Sequence, residues 1–302
     1  MNYFKEKYIN PLTDFGFKKL FGSEPNKELL IDFLNQVLPE KHRVKNLTYA
    51  KSEHLGDKQL DRKAIFDLYC IGQSGEHFIV ELQKAKQNFF KDRSVYYASF
   101  PIQTQAKRGN WDYKLEPVYT IGILDFEFDD HKGTPDILHT VELKNQHCET
   151  FYDKLVFIYI ELPKFNKTEA ELTTHFDKWL YLFKYLSVLQ DRPKAFQDKI
   201  FERLFKAAEI ARFSPEEREA YRESLKYYRD LQNVVDTSRE EGLKEGREEG
   251  LKEGREEGLK EGREMGTAEL KLQIARQMKA MGEPADKIAR YTGLPANEID
   301  KL

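Results

Sequence analysis

The sequence has few cysteines and no long apolar run. Only Cys70 and Cys148 occur among its 302 residues, which excludes a small secreted domain held by disulfides and indicates a reducing compartment. No stretch approaches the roughly 18 apolar residues that span a membrane. The opening residues MNYFKEKYIN lack the apolar segment of a secretory signal. Together these absences predict a cytoplasmic protein with no membrane partner.

Signatures of several common enzyme classes are also missing. The sequence contains no GxxxxGK[ST] phosphate loop, no GxGxxG and no GxSxG, so it gives no support for ATP use, dinucleotide binding or a serine nucleophile elbow. The seven histidines include no close pair such as HxxxH that would indicate a metal site. The net charge of -3 gives the whole chain no general attraction to a polyanion. Any chemistry must therefore come from other residues.

What the sequence does contain is a set of apolar segments of two kinds. Helical spacing of apolar residues predicts helices at 12–37, 87–107 and 168–236. Apolar runs bounded by turn residues predict strands within 43–71 and at 77–83, 118–126, 137–145 and 154–162. A helix between two strands is typical of a parallel crossover. We therefore expect an α/β domain over 1–237, a repeat segment over 238–266 and a small helical tail over 267–302.

The strongest local signal is a predicted hairpin that carries two acids. A loop at 72–76 would place Asp67 directly opposite Glu81, and strand alternation would put Gln83 on the same face as Glu81. Two opposed carboxylates repel each other unless a cation lies between them. Two carboxylates, the carbonyl oxygen of Leu82 and waters would suit Mg²⁺ or Mn²⁺ rather than Zn²⁺. The pattern therefore predicts a site for a hard divalent cation.

This hairpin leaves two interpretations open. A metal held there would activate water for phosphodiester hydrolysis, and the amide of Gln83 would orient the attacking water. In the alternative, Asp67 faces solvent and Glu81 pairs with Lys84 or Arg62. Lys84 is expected on the other face of the sheet if the strand continues beyond Gln83. The residues alone do not decide between the two.

The spacing of Asp67 and Glu81-Leu82-Gln83 resembles the Asp…Glu-x-Lys signature of the PD-(D/E)xK nuclease superfamily. Further stretches resemble one branch, the recombination-promoting nuclease and transposase family; they are 11–22, 66–70, 80–83, 93–98, 160–165 and the glycine- and glutamate-rich tail. The resemblance implies a restriction-endonuclease-like mixed sheet flanked by helices, with a helical C-terminal tail. It also implies a Mg²⁺-dependent DNA endonuclease that promotes recombination or transposition.

The resemblance assigns roles to individual residues. Asp67 and Glu81 match the metal ligands, and Gln83 stands where the signature has lysine. Because a neutral amide lacks the charge of lysine, an alternative is a nuclease-like module that binds DNA or a partner protein without cutting. Asp14 matches an acid on the first helix that assists at the metal, with helix capping as its alternative. Arg93 would contact the scissile phosphate, with a surface role as its alternative.

The C-terminal part of the chain has a repeat. Residues 240–263 are three copies of EEGLKEGR, and glycine occupies every fourth position from Gly242 to Gly266. Each glycine disfavours a helix by about 1 kcal/mol, whereas a Glu–Lys pair returns only a few tenths. One hypothesis is a helix that self-associates into a homo-oligomer through 240–266, and the other is a flexible charged linker.

Residues 267–302 resemble part of a helix-turn-helix, but their net charge of +1 favours packing over DNA binding.

Overall fold

The computed structural model describes residues 6–50, 53–54, 64–106, 109 and 111–302. Contacts divide the chain into two compact units, residues 1–233 and 234–302. Eight α-helices occur among the described residues: α1 Asp14–Phe21, α2 Lys27–Val37, α3 Phe90–Thr104, α4 His175–Tyr185, α5 Lys199–Ala208, α6 Pro215–Ala280, α7 Ala285–Thr292 and α8 Ala296–Ile299. In the described part of the chain, no helix has both the length and the apolarity needed to cross a bilayer.

The strands of the described residues are β1 Leu47–Tyr49, β2 Glu53–His54, β3 Ala64–Ile65, β4 Leu68–Gly72, β5 His77–Gln83, β6 Val118–Leu124, β7 Leu138–Lys144 and β8 Thr150–Glu161. Six of them form a mixed sheet in the order β1-β4-β5-β6-β8-β7, while β2 pairs only with β3. The β5–β6 and β6–β8 pairs are parallel and the others antiparallel, with a register shift between Glu142 and Lys144 in β7. Helix α3 makes the crossover from β5 to β6, which confirms the predicted α/β class.

Helices cover both faces of the sheet. One face packs against α1, α2, α4, α5 and the start of α6, in a core rich in aromatic rings such as Phe21, Phe33 and Trp179. The other face packs against α3, whose Phe90 lies against Tyr159 of β8. Strand β6 is buried along its whole length, as expected for a parallel strand covered on both faces. The helices on the two faces hold the central strands in place, and these strands carry the candidate site.

The β4–β5 hairpin has the register expected from the sequence. Ile71 pairs with His77, and continuing this register brings Asp67 level with Glu81. The turn includes Gly75 with φ of +94°, a conformation that glycine adopts without steric strain. Because turn length sets the register of a hairpin, these few turn residues determine which acids become neighbours.

The strands predicted within 43–71 are interrupted at Asp67. In the apolar run at 64–71, β3 ends at Ile65 and β4 begins at Leu68. Asp67 lies in a bend between them, so its side chain is not bound by strand alternation. Other parts of the predicted strand segment, residues 51–52 and 55–63, lie outside the described residues, and so does Arg62, the alternative partner of Glu81.

The C-terminal unit is helical, which agrees with the helical tail that the sequence predicts. Helix α6 has 66 residues and includes the whole glycine repeat. The glycines from Gly242 to Gly266 have open space beside them. A methyl group added at any of them would have no described atom within 4 Å, apart from the adjacent residues and the backbone of its own helix turn. Beyond α6, residues of α7 and α8 form a small core with the end of α6, built on Ala275, Ile288 and Ile299.

Candidate active site

Asp67 and Glu81 form a pair of acids where β4 begins and β5 nears its end. The backbone N–H of Leu82 donates to Oδ2 of Asp67 over 2.7 Å, which fixes that carboxylate against β5. Burial and the neighbouring charge of Asp67 raise the pKa of Glu81 to about 8. Burial also raises the pKa of Asp67, and the hydrogen bond from Leu82 reduces that shift. The fold therefore holds two mutually repelling carboxyl groups together.

This pair fits a divalent cation. Oε1 of Glu81 is buried and accepts no hydrogen bond from any described residue. A buried carboxylate oxygen without a partner is unfavourable, and the second carboxylate beside it adds repulsion. Mg²⁺ or Mn²⁺ would supply both a partner for the oxygen and the opposite charge. The carbonyl oxygen of Leu82 as a third ligand stays a prediction.

Asp14 is the first residue of α1, and its charge acts on Asp67. Its carboxylate is half exposed and forms an ion pair with Lys18 at 2.9 Å. The helix is capped by Thr13, whose hydroxyl accepts a hydrogen bond from the backbone N–H of Gly16 at 3.0 Å. Thr13 therefore takes the capping role that was the alternative for Asp14, and the assisting role of Asp14 stays a prediction.

The start of α6 holds this end of α1 in place. The hydroxyl of Tyr221 accepts a hydrogen bond from the backbone N–H of Asn10 at 2.8 Å. The hydroxyl of Ser224 accepts one from the backbone N–H of Phe15 at 3.0 Å. A side chain at Gly16 would collide with the carbonyl oxygen of Asn10, so glycine permits the tight turn. These contacts position Asp14 beside the hairpin.

Gln83 is buried, and both ends of its amide are engaged. Its oxygen accepts a hydrogen bond from Arg93, and its nitrogen donates to the carbonyl oxygen of Ala85 at 2.8 Å. Arg93 also donates to the amide oxygen of Gln87. Arg93 is thus turned towards the end of β5, and its contact with the scissile phosphate stays a prediction. The water-orienting role of Gln83 stays a prediction, with its amide already bound to Arg93.

Lys84 follows the last residue of β5. Because β5 ends at Gln83, strand alternation no longer decides where Lys84 points, and the expectation that it faces away from the acids does not hold. Burial lowers the pKa of Lys84, and the charges of Asp14 and Asp67 counteract this shift. Its ammonium lies 5.5 Å from the ring centre of Tyr227.

A second polar cluster, which the sequence did not reveal, surrounds Glu161 at the end of β8. The carboxylate of Glu161 is fully buried, and it forms an ion pair with Lys164 at 2.6 Å. One oxygen accepts a hydrogen bond from the backbone N–H of Phe128 at 2.8 Å and lies 3.0 Å from Nδ1 of His131. The other lies 3.2 Å from Nε2 of His139. We call these five residues the Glu161 clamp.

Three residues of the Glu161 clamp, His131, His139 and Glu161, offer ligand atoms within 4.8 Å of one another. The two imidazole rings are stacked, with centres 3.9 Å apart and an angle of 22° between their planes. One nitrogen of each ring lies within 3.2 Å of an oxygen of Glu161, so this carboxylate already engages both rings. Lys164 already balances the charge of Glu161. This arrangement is a structural connection between β7, β8 and the turn before β7.

Comparisons with curated proteins and with solved structures give no match. A family model described as PD-(D/E)XK nuclease family transposase matches residues 11–238. This span is more than half of the chain, and it includes Asp14, the β4–β5 hairpin and Arg93. The match agrees with the resemblance that the hairpin acids and the other motifs indicate. The chain therefore belongs to the PD-(D/E)XK nuclease family of transposases.

Proposed function

We propose that this protein is a metal-dependent endonuclease that hydrolyses DNA phosphodiester bonds in recombination or transposition. The main support is the buried pair of Asp67 and Glu81, with one oxygen of Glu81 left without a hydrogen-bond partner. The family membership supports a nuclease role. Cys70 and Cys148 are both free thiols, which fits a reducing compartment such as the cytoplasm.

In this proposal Asp67 and Glu81 hold Mg²⁺ or Mn²⁺, with the carbonyl oxygen of Leu82 as a further ligand. An ion bound there would supply a water of lowered pKa and Lewis-acid polarisation of the phosphate. The N–H of Leu82 keeps the carboxylate of Asp67 in one orientation. Asp14 adds a carboxylate on the α1 side, where its oxygens can accept hydrogen bonds from water.

Arg93 contributes the contact to the phosphate. Its guanidinium is fixed by the amides of Gln83 and Gln87, and its charge acts on Glu81. These two bonds use two of the five N–H donors of arginine, and the others can donate to phosphate oxygens. A guanidinium held in this way needs little rearrangement when DNA binds.

Cleavage of supercoiled plasmid DNA tests this function. We expect the purified protein to convert the plasmid to nicked or linear forms with Mg²⁺ or Mn²⁺, and EDTA to stop the conversion because the acid pair then lacks its ion. Titration calorimetry with Mn²⁺ should show binding before any DNA is added. Cleavage that continues at full rate in EDTA would contradict the metal-dependent mechanism.

A second candidate function is favoured by Gln83. Its neutral amide stands at the lysine position of the signature and is bound to Arg93, so the charge that lysine offers is missing at that position. The protein would then be a nuclease-like module that binds DNA or a partner protein without cutting. Plasmid that is bound in a gel-shift assay and stays supercoiled with Mn²⁺ would favour this candidate over the endonuclease.

We also propose that the glycine repeat of α6 joins two copies of the chain. The seven glycines from Gly242 to Gly266 disfavour an isolated helix by about 7 kcal/mol in total, and side-chain pairs return only a fraction of this. Leu243, Leu251 and Leu259 are largely exposed on the helix. Small residues at every fourth position let two helices approach closely, so a second copy could bury these leucines and offset the glycines.

Replacing Gly250, Gly254 and Gly258 with glutamine tests this association. Glutamine favours a helix more than glycine does, but its side chain blocks close approach. We expect light scattering of the full chain to show a dimer for the wild type and a monomer for the variant. Unchanged mass in the variant, or a wild-type monomer at all concentrations, would contradict association through the repeat.

A further inference from the structure

Lys84 is a half-buried cation beside the acid pair that does not form an ion pair. Its ammonium makes no hydrogen bond or ion pair in the part of the chain that the structure describes. The charges of Asp14 and Asp67 both act on it. A half-buried cation without such a partner is unfavourable, so an anion that reached this ammonium would gain a favourable contact.

Two aromatic rings keep this ammonium near the acids. Its nitrogen lies 5.5 Å from the ring centre of Tyr227 and 5.9 Å from that of Tyr228, both on α6. Cation–π contacts of this kind attract the charge weakly at exposed sites and more strongly when water is excluded. Tyr228 is itself anchored, because its hydroxyl donates to Asp125 at 3.1 Å. The cation is therefore held in place and still able to bind an incoming anion.

Gln83 precedes Lys84 in the chain, and both ends of its amide are hydrogen-bonded, the oxygen to Arg93 and the nitrogen to Ala85. We propose that Lys84 is a catalytic residue that contacts the scissile phosphate, and that Gln83 is a positioning residue that aims Arg93. The inference rests on the proposed nuclease function. An ammonium is a compact point charge that binds phosphate oxygens, and a positive charge at the reacting phosphate stabilises the negative charge that develops there.

The first test replaces Lys84. Lys84→Met keeps the length of the side chain and removes its charge, so we expect kcat for plasmid nicking to fall about 100-fold while Mn²⁺ binding by calorimetry stays intact. Lys84→Arg should recover part of the loss because it restores a cation. The matched control is Lys41→Met, because Lys41 pairs with Asp153 near the start of β8, at the other end of the central strands. Wild-type kcat in Lys84→Met would overturn the proposal.

The second test restores the lysine of the signature. Gln83→Lys would place a cation against Arg93, so we expect slower cleavage than in the wild type. If position 83 were instead the one that serves the phosphate, this substitution would increase the rate. An increase in the rate of Gln83→Lys would therefore overturn the assignment of roles to the two residues.

A binding experiment separates this proposal from the endonuclease function itself. Fluorescence anisotropy of labelled duplex DNA, with Ca²⁺ in place of Mg²⁺, measures affinity without cleavage. Each phosphate contact contributes about 0.9 to the slope of log affinity against log salt. We expect Lys84→Met to reduce the slope by about this amount even if the wild type cuts nothing, in which case the endonuclease function alone would fail. An unchanged slope would reject the phosphate contact.

Discussion

Replacing Asp67 with asparagine is expected to reduce metal-dependent DNA cleavage by about 10³-fold or more. A metal ion contributes several kcal/mol to stabilising the reacting phosphate, and each 1.4 kcal/mol corresponds to about tenfold in rate. Asparagine retains an oxygen that can accept the hydrogen bond from Leu82, so the hairpin should keep its geometry. Plasmid nicking with Mg²⁺ and with Mn²⁺ measures the loss.

The same variant should be more stable than the wild type when no metal is present. Burial raises the pKa of Asp67, so the folded state holds its proton more tightly than the unfolded state does. Ionisation of this group therefore opposes folding above its ordinary pKa, and asparagine removes that effect. At pH 8 in EDTA we expect a higher Tm for Asp67→Asn, and Mn²⁺ should raise Tm only in the wild type.

Asp191→Asn is the matched control for this experiment, because Asp191 is an exposed acid that pairs with Lys7. It should cleave DNA and bind Mn²⁺ as the wild type does. Full cleavage activity in Asp67→Asn would show that Asp67 is not part of the active site. A fall in its Tm in EDTA would show that the acid pair stabilises the fold rather than straining it.

Glu161→Gln is expected to destabilise the protein by about 3 kcal/mol. The substitution breaks a buried ion pair and leaves Lys164 charged with no carboxylate beside it, a situation that typically costs about 3–5 kcal/mol. We expect a destabilisation at the lower end of this range because Lys164 keeps other partners. It also donates to the carbonyl oxygen of His131 at 3.0 Å and to that of Asp136 at 3.2 Å. Urea unfolding at pH 7 measures the difference.

The effect of this substitution should depend on pH. Burial opposes the ionisation of Glu161, but hydrogen bonds from Lys164 and from the backbone of Phe128 outweigh it and lower the pKa. The ionised carboxylate therefore stabilises the fold above its ordinary pKa of about 4.3, and this stabilisation is lost as pH falls through the folded-state pKa. The gap between wild type and variant should be present at pH 7 and shrink below about pH 4.

Two further variants test this interpretation of the Glu161 clamp. The double variant Glu161→Gln/Lys164→Met also removes the cation that has lost its carboxylate. Its loss of stability should therefore be smaller than the sum of the losses in the two single variants. Glu223→Gln, at an exposed position of α6, should leave the urea midpoint unchanged. Wild-type stability in Glu161→Gln at pH 7 would mean that the clamp does not hold these strands together.

The hairpin could be predicted from the sequence because its determinants are local. Turn residues, strand alternation and a short loop set the pairing of Ile71 with His77, and that pairing brings Asp67 to Glu81. The bend at Asp67 could not be foreseen, because the apolar run at 64–71 continues through it. A strand boundary inside an apolar run depends on what packs against it.

The end of β5 had a usable signal. After Gln83, the residues Lys84-Ala85-Lys86-Gln87 do not continue the alternation of apolar side chains, so the strand could have been ended there and Lys84 considered for the site. The Glu161 clamp had no such signal, since His131 and Glu161 are 30 residues apart. Their approach depends on β7 returning antiparallel to β8, which spacing along the chain does not predict.

The two outermost strands of the six-stranded sheet have a consequence for solubility. On one side β1 has only three residues. On the other, the shifted register of β7 interrupts the regular row of backbone groups, next to the charged side chains of Glu142 and Lys144. Short, irregular or charged borders are poor templates for another β-strand. We therefore expect the folded protein to resist aggregation by strand addition.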